Sequence, residues 1–160
     1  MLIRPYVAGD EAQLQEVFYQ AVHQTAAADY SAEQLAVWAP AAQDMDQWAA
    51  RMRAIQPFVA EIDGKVCGYA DVQPDGYIDH FFVAPGAGRR GVGSTLMRRI
   101  HDVALAGKLP RLYSNVSLTA RPFFEKFNFN VDEAQVVVVR GMRFNNFRMS
   151  KQLASLPAQR

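Results

Sequence analysis

The stretch Arg89-Arg90-Gly91-Val92-Gly93-Ser94 has the residue types and spacing to do chemistry, and the chemistry they suit is anion binding. An apolar run, Phe81-Phe82-Val83-Ala84-Pro85, leads into a glycine-rich loop, Gly86 to Gly93, and the loop opens an amphipathic helix. Amides at a helix start have no carbonyl partner within the helix. They also lie at the positive end of the helix dipole, so linked phosphates are favoured there. Gly91 and Gly93 remove side chains that would keep phosphate oxygens away from the main chain. Ser94 adds a hydroxyl donor, and Arg89 and Arg90 add charge in a geometry that suits phosphate. Other phosphate motifs fit less well. The chain has no Lys-Ser or Lys-Thr pair after a Gly-x-x-x-x-Gly run, as a P-loop requires. Gly91-Val92-Gly93-Ser94-Thr95-Leu96 lacks the third glycine of a dinucleotide fingerprint.

The elements around this loop can be read from the pattern of apolar residues. Ile3 to Val7 reads as a first strand. Asp10 opens a helix, with Gln13 as its capping-box partner and Leu14, Val17, Phe18, Ala21 and Val22 on one face. Ser31 with Gln34 starts a second helix, which ends before Pro40, and a third spans Met45 to Ile55 with Trp48, Met52 and Ile55 on one side. The period then changes. Phe58 to Ile62, Val66 to Val72 and Tyr77 to Val83 read as an antiparallel meander turning at Asp63-Gly64 and at Pro74-Asp75-Gly76. The helix after the loop spans Val92 to Ala106, with Leu96, Ile100, Val103 and Ala104 as its buried stripe, and stops at Gly107 and Pro110. Leu112 to Val116 follows as a strand, Pro122 begins a short helix through Phe127, and Val136 to Arg140 and Phe144 to Lys151 close the chain as strands broken at Gly141. This order predicts an α/β fold of the α+β kind, built on one sheet, with a single domain over residues 1–153 and a tail over 154–160.

Composition narrows the function classes. A formal net charge of +1 over 160 residues gives no basic field for a nucleic acid. No apolar run approaches the roughly 18 residues of a membrane span, and the start lacks the layout of a signal peptide. With Cys67 as the single cysteine no internal disulfide can form, which suits a reduced, cytoplasmic setting. Cys67 itself, within Val66-Cys67-Gly68-Tyr69, reads as a small buried residue and not a nucleophile. His23, His80 and His101 have no zinc-ligand spacing, so no metal is expected.

Val83-Ala84-Pro85, Arg90-Gly91-Val92-Gly93 and Leu96-Met97 resemble the acetyl-CoA segment of the GCN5-related N-acetyltransferase (GNAT) superfamily. Ile3-Arg4-Pro5 with Gly9-Asp10 is similar to the opening of those proteins, and Ala120-Arg121-Pro122-Phe123-Phe124-Glu125-Lys126-Phe127-Asn128-Phe129 to their Ala-x-x-Phe-Tyr-Glu-Lys-x-Gly-Phe segment. Thr25 to Trp38 and Arg140 to Met149 resemble a bacterial subfamily of largely uncharacterised members.

The resemblance implies the acyl-CoA N-acyltransferase fold, a central, mixed, twisted sheet of about seven strands flanked by helices. Its fourth and fifth strands splay around the pantetheine arm. Acetyl-CoA would be the cosubstrate and an amine the acceptor, with transfer by direct attack and a homodimer as one possible assembly. Main chain near Phe82 and Val83 would pair with the arm, and Gly88, Arg89, Arg90, Gly91, Val92, Gly93 and Ser94 would hold the pyrophosphate. In members of the family a Gln or Arg precedes the first motif glycine by three residues; Gly88 stands there in this chain. The family's acidic tyrosine falls at Phe124, which has no proton to give. Water, Tyr113, Ser117 or Thr119 would serve instead, and an alternative reading is a CoA-binding or sensor domain without turnover. The base would be Asp79, on the strand leading to the loop, with His80 next and water third; the imidazole's ordinary pKa of about 6.5 suits the role. Tyr30, Trp38 and Asn145 are the acceptor-side candidates, together with Trp48, Arg140 and Phe144.

Overall fold

The structure is a computed structural model, and it describes residues 1–87 and 89–153. Gly88 and the proposed tail, 154–160, lie outside the described residues. Among the described residues seven strands and five α-helices run in the order β1 (Leu2–Pro5), α1 (Glu11–Gln20), α2 (Ala32–Trp38), α3 (Met45–Ile55), β2 (Phe58–Ile62), β3 (Lys65–Ala70), β4 (Phe81–Val83), α4 (Val92–Ala106), β5 (Arg111–Ser117), α5 (Arg121–Lys126), β6 (Asn130–Val139) and β7 (Met142–Gln152). The mixed α/β fold expected from the sequence is therefore present.

The sheet is divided. The order β1-β2-β3-β4 makes one antiparallel half and β5-β7-β6 the other. Their main-chain link is a parallel bridge between Tyr77 and Tyr113, where Ile78 N–H donates to the Tyr113 carbonyl at 2.8 Å and Tyr113 N–H to the Gly76 carbonyl at 3.0 Å. Beyond that bridge β4 and β5 diverge, which leaves β4 paired on one side only, with β3.

The divergence corrects the strand expected over Tyr77 to Val83, of which only Phe81–Val83 joins a ladder. Asp71, fully buried just after β3, holds the main chain of this segment. Its carboxylate accepts the main-chain N–H of His80 at 2.6 Å and of Asp79 at 3.1 Å, and the side-chain amide of Gln73 at 2.6 Å. Amides bound by a side chain cannot serve a ladder.

Side-chain alternation places the sheet between two cores. Val59, Val66 and Tyr69 pack with α1, α2 and α3, whereas their neighbours Ala60, Cys67 and Ala70 pack with α4 and α5, as the period of a strand requires. The stripe of α4 is Val92, Leu96, Met97, Ile100 and Ala104, all fully buried. Val103, expected in that stripe, lies on its rim with 40% of its surface exposed, and Met97 takes its place in the core.

Helix entries differ in the same instructive way. Ser31 and Gln34 form the expected capping box of α2. At α1, however, Gln13 accepts from Val66 N–H, and Asp10 makes no cap bond. Its carboxylate instead takes two nitrogens of Arg4, at 2.8 and 2.9 Å, and Val7 N–H at 2.9 Å. Arg4 also pairs with Glu61 of β2, so a charge triad joins β1, β2 and the start of α1. After Gln20 the helix widens into a π-turn, Ala21–Thr25, and then tightens over Ala26–Ala28.

Candidate functional site

The gap between the sheet halves is a cavity of about 340 Å³. One wall is β4, through Phe81, Phe82 and Val83, and the opposite wall is Ser117, Thr119 and Phe124; Gly91, Gly93 and Ser94 close one end and Trp38 the other. The π-turn supplies Ala21, Val22 and Thr25. Such wide turns recur at functional sites because they re-aim side chains; no signal in the sequence marked this one.

At the glycine end, Gly91 is the N-cap of α4 and has φ +76°, a left-handed value that glycine adopts without cost. The amides of Val92, Gly93 and Ser94 are therefore first-turn donors without helical carbonyls. Thr95 N–H already returns to the Gly91 carbonyl, and Arg90 N–H is taken by Ala87 at 3.1 Å, so the free donors begin beyond Arg90. A Cβ on Gly93 would stand 3.2 Å from the Phe123 ring, so the bare position also lets α5 approach. Arg89 and Arg90 are exposed beside the loop, and Arg90 lines a separate cleft against α1. Val92 turns its side chain into the core.

Phe124 is buried against Phe81 and Phe129, with ring centroids 5.9 and 5.0 Å away. Among the substitute acids, Tyr113 lies outside this cavity, its hydroxyl donating to Asp75 at 2.5 Å. Thr119 donates to Asp29 at 2.7 Å. Ser117 accepts from Ala120 N–H at 3.0 Å, which leaves its own proton free to donate.

A second cavity, about 460 Å³, adjoins the first through the shared Trp38 ring. Phe18, Trp48, His80, Gln43, Gln47, Arg51 and Arg140 line it. His80 meets the Tyr69 hydroxyl through Nδ1 at 3.0 Å, and burial pushes its pKa down to about 4, so the ring is neutral at pH 7. Asp79 is not among the residues lining either cavity, and its carboxylate is paired with Arg51. Asp71, which lines neither cavity, is pushed up to about 6 by burial.

Of the acceptor-side candidates, Trp38 and Trp48 face the second cavity, as does Arg140. Tyr30 does structural work: its hydroxyl donates to the Asn145 carbonyl at 2.6 Å and accepts from Leu118 N–H at 3.0 Å. That ties the end of β5 to β7. Asn145 is exposed and contributes its main chain to this tie, and Phe144 packs against Tyr30 and Trp38. Sequence reading missed Arg51, Gln47, Asp71 and Tyr69. The first two had a trace, since Gln47 and Arg51 are four apart on α3 beside the buried Trp48 and Met52. Cys67 is buried, and burial pushes its thiol pKa up. Among the described residues no three His, Cys, Asp or Glu side chains gather as a metal site, and no helix is long and apolar enough to cross a membrane.

Comparison with known proteins fits this geometry. A family model described as "Acetyltransferase (GNAT) domain" matches residues 26–151. The chain is 37% identical over 147 residues to the "Uncharacterized N-acetyltransferase YafP" of Escherichia coli (strain K12), covering 92% of this chain and 93% of that one. Among solved structures, a "GCN5-Related N-acetyltransferase: Aminotransferase, Class-II" from Rhodopseudomonas palustris is 33% identical with a TM-score of 0.90 over 95% of each chain. The PaiA N-acetyltransferase of Thermoplasma acidophilum, solved with coenzyme A, shares the fold at 17% identity and a TM-score of 0.75, over 95% of this chain and 98% of that one.

Proposed function

The chain belongs to the acetyltransferase (GNAT) family, and on that premise we propose that it transfers acetyl from acetyl-CoA to a primary amine by direct attack, with both substrates bound. The observation that carries this reading is the cavity between β4 and β5, which runs from the glycine loop to a wall shared with a second cavity. Pyrophosphate binds at the amides of Val92, Gly93 and Ser94, with Arg89 and Arg90 adding charge from outside. The pantetheine arm lies along the unpaired edge of β4 as an added strand would, and the acetyl group reaches the Trp38 wall.

From the second cavity the amine nitrogen attacks the thioester carbonyl carbon. The carbonyl electrons move to oxygen, where free β4 amides are the donors at hand. As they return, the C–S bond breaks and sulfur leaves with the electron pair. A thiol titrates near 8.5, so its thiolate needs only a weak donor, and Ser117 or water is sufficient where Phe124 supplies none.

His80 is placed better than Asp79 to take the amine's proton, because it faces the acceptor cavity while Asp79 is held by Arg51. A group titrating at about 4 is a weak base. It still suffices once the N–C bond has formed, because the attached nitrogen is then far more acidic than the free ammonium. The role requires Nδ1 to carry a proton toward Tyr69, leaving Nε2 bare.

Thiol release from acetyl-CoA in the presence of an amine panel tests the reading. Turnover with at least one amine is expected. Tight acetyl-CoA binding with no release for any amine would identify a CoA-binding domain without turnover, the reading that Phe124 favours.

A further inference from the structure

The second cavity carries charge of one sign. His80 is neutral at pH 7, and Arg51 is balanced by Asp79. Arg140 has no acidic partner among the described residues. It makes one hydrogen bond, to the Val37 carbonyl, and a guanidinium has five donors to offer. No carboxylate of the described residues lines the cavity. A polycationic acceptor would find nothing to receive its second ammonium and a guanidinium to repel it.

The way Arg140 is held points the same way. Arg140 and Gly141 form the turn between β6 and β7 with φ of +46° and +81°. The first position of such a turn favours Asn, Asp or Gly, and an arginine there costs backbone energy. The cavity volume, about 460 Å³, is that of a small-molecule site. Phe18, Trp38 and Trp48 give it an apolar wall.

We infer that the amine acceptor is a small molecule carrying a carboxylate or similar compact oxyanion, which Arg140 binds at the second cavity, with an apolar body against Trp38 and Trp48. The inference rests on the transferase reading above.

A matched series tests it: phenylalanine, its decarboxylated counterpart phenethylamine, and spermidine, each assayed by thiol release. Phenylalanine should exceed phenethylamine in kcat/KM by about tenfold to a hundredfold, the range of a charge-assisted hydrogen bond, and spermidine should be poorest. Arg140→Gly suits the left-handed turn, so melting temperature and acetyl-CoA affinity report that the variant is folded. In it the ratio of phenylalanine to phenethylamine should collapse toward one, through KM for phenylalanine, and Arg140→Lys should restore part of it. A preference for spermidine or phenethylamine, or an unchanged ratio in Arg140→Gly, overturns the inference. If no amine is turned over, the transferase reading falls by itself. The inference is then read from calorimetry on the CoA-saturated protein, where phenylalanine must outbind phenethylamine and lose that advantage in Arg140→Gly.

Discussion

At the scale of single residues, Asp71 and His80 make opposing demands on pH. The folded pKa of His80, about 4, lies below its ordinary value of about 6.5. The unfolded chain therefore binds more protons between those values, and this contribution to stability is lost as pH falls from about 6.5 toward 4. Asp71, at about 6, is raised above the usual value of about 3.9. Its contribution is fully present below about 3.9 and is lost as pH rises through 6. Urea midpoints at pH 4.5 and 7 separate the two. Relative to the parent chain, Asp71→Asn should lose stability more steeply on acidification, and His80→Gln should lose it less. For turnover, kcat/KM should show no inflection near 6.5, because His80 is already neutral there. His80→Gln should lower kcat by about a hundredfold to ten-thousandfold, the scale of general-base assistance, without moving the alkaline limb set by the amine.

At the scale of elements, the Arg4–Asp10–Glu61 triad couples the entry of α1 to two strands. Asp10→Ala leaves Arg4 half-paired and the Val7 amide without an acceptor. It should destabilise the fold by about 1–3 kcal/mol in urea unfolding, with a smaller loss for Asp10→Asn. Elements defined by neighbours in sequence were legible before the structure: α3 and α4 begin and end where Met45, Ile55, Val92 and Ala106 predicted, and Ser31 with Gln34 caps α2. What escaped depends on distant partners. The capping-box pattern at Asp10 was real in spacing, but Arg4 of β1 takes the carboxylate and Val66 N–H, from distant β3, takes the Gln13 side chain. Tyr77 to Val83 read as the third strand of the meander, and no local signal announced that Asp71 would capture two of its amides. The glycine loop could be read because its chemistry is local. The acceptor cavity could be read only in part, since Arg51 and Gln47 come from α3, His80 from the bend and Arg140 from the β6–β7 turn.

At the scale of the whole molecule, two half-sheets joined by one bridge leave a slot through the middle of the protein. A ligand filling that slot binds only the folded chain, so acetyl-CoA at a hundred times its Kd should stabilise the fold by about 2.7 kcal/mol. A thermal melt reads this as a rise in melting temperature. Gly93→Val, which pushes a side chain against Phe123 at the loop, should weaken acetyl-CoA affinity by about tenfold or more and reduce that rise. Among the described residues Asp71 has no salt-bridge partner, and it is buried beside the stretch between the Tyr77 bridge and β4, where it holds the amides of Asp79 and His80. The shape of the segment that leads into the slot is thus set from within the protein, by a buried carboxylate that does not line the slot itself.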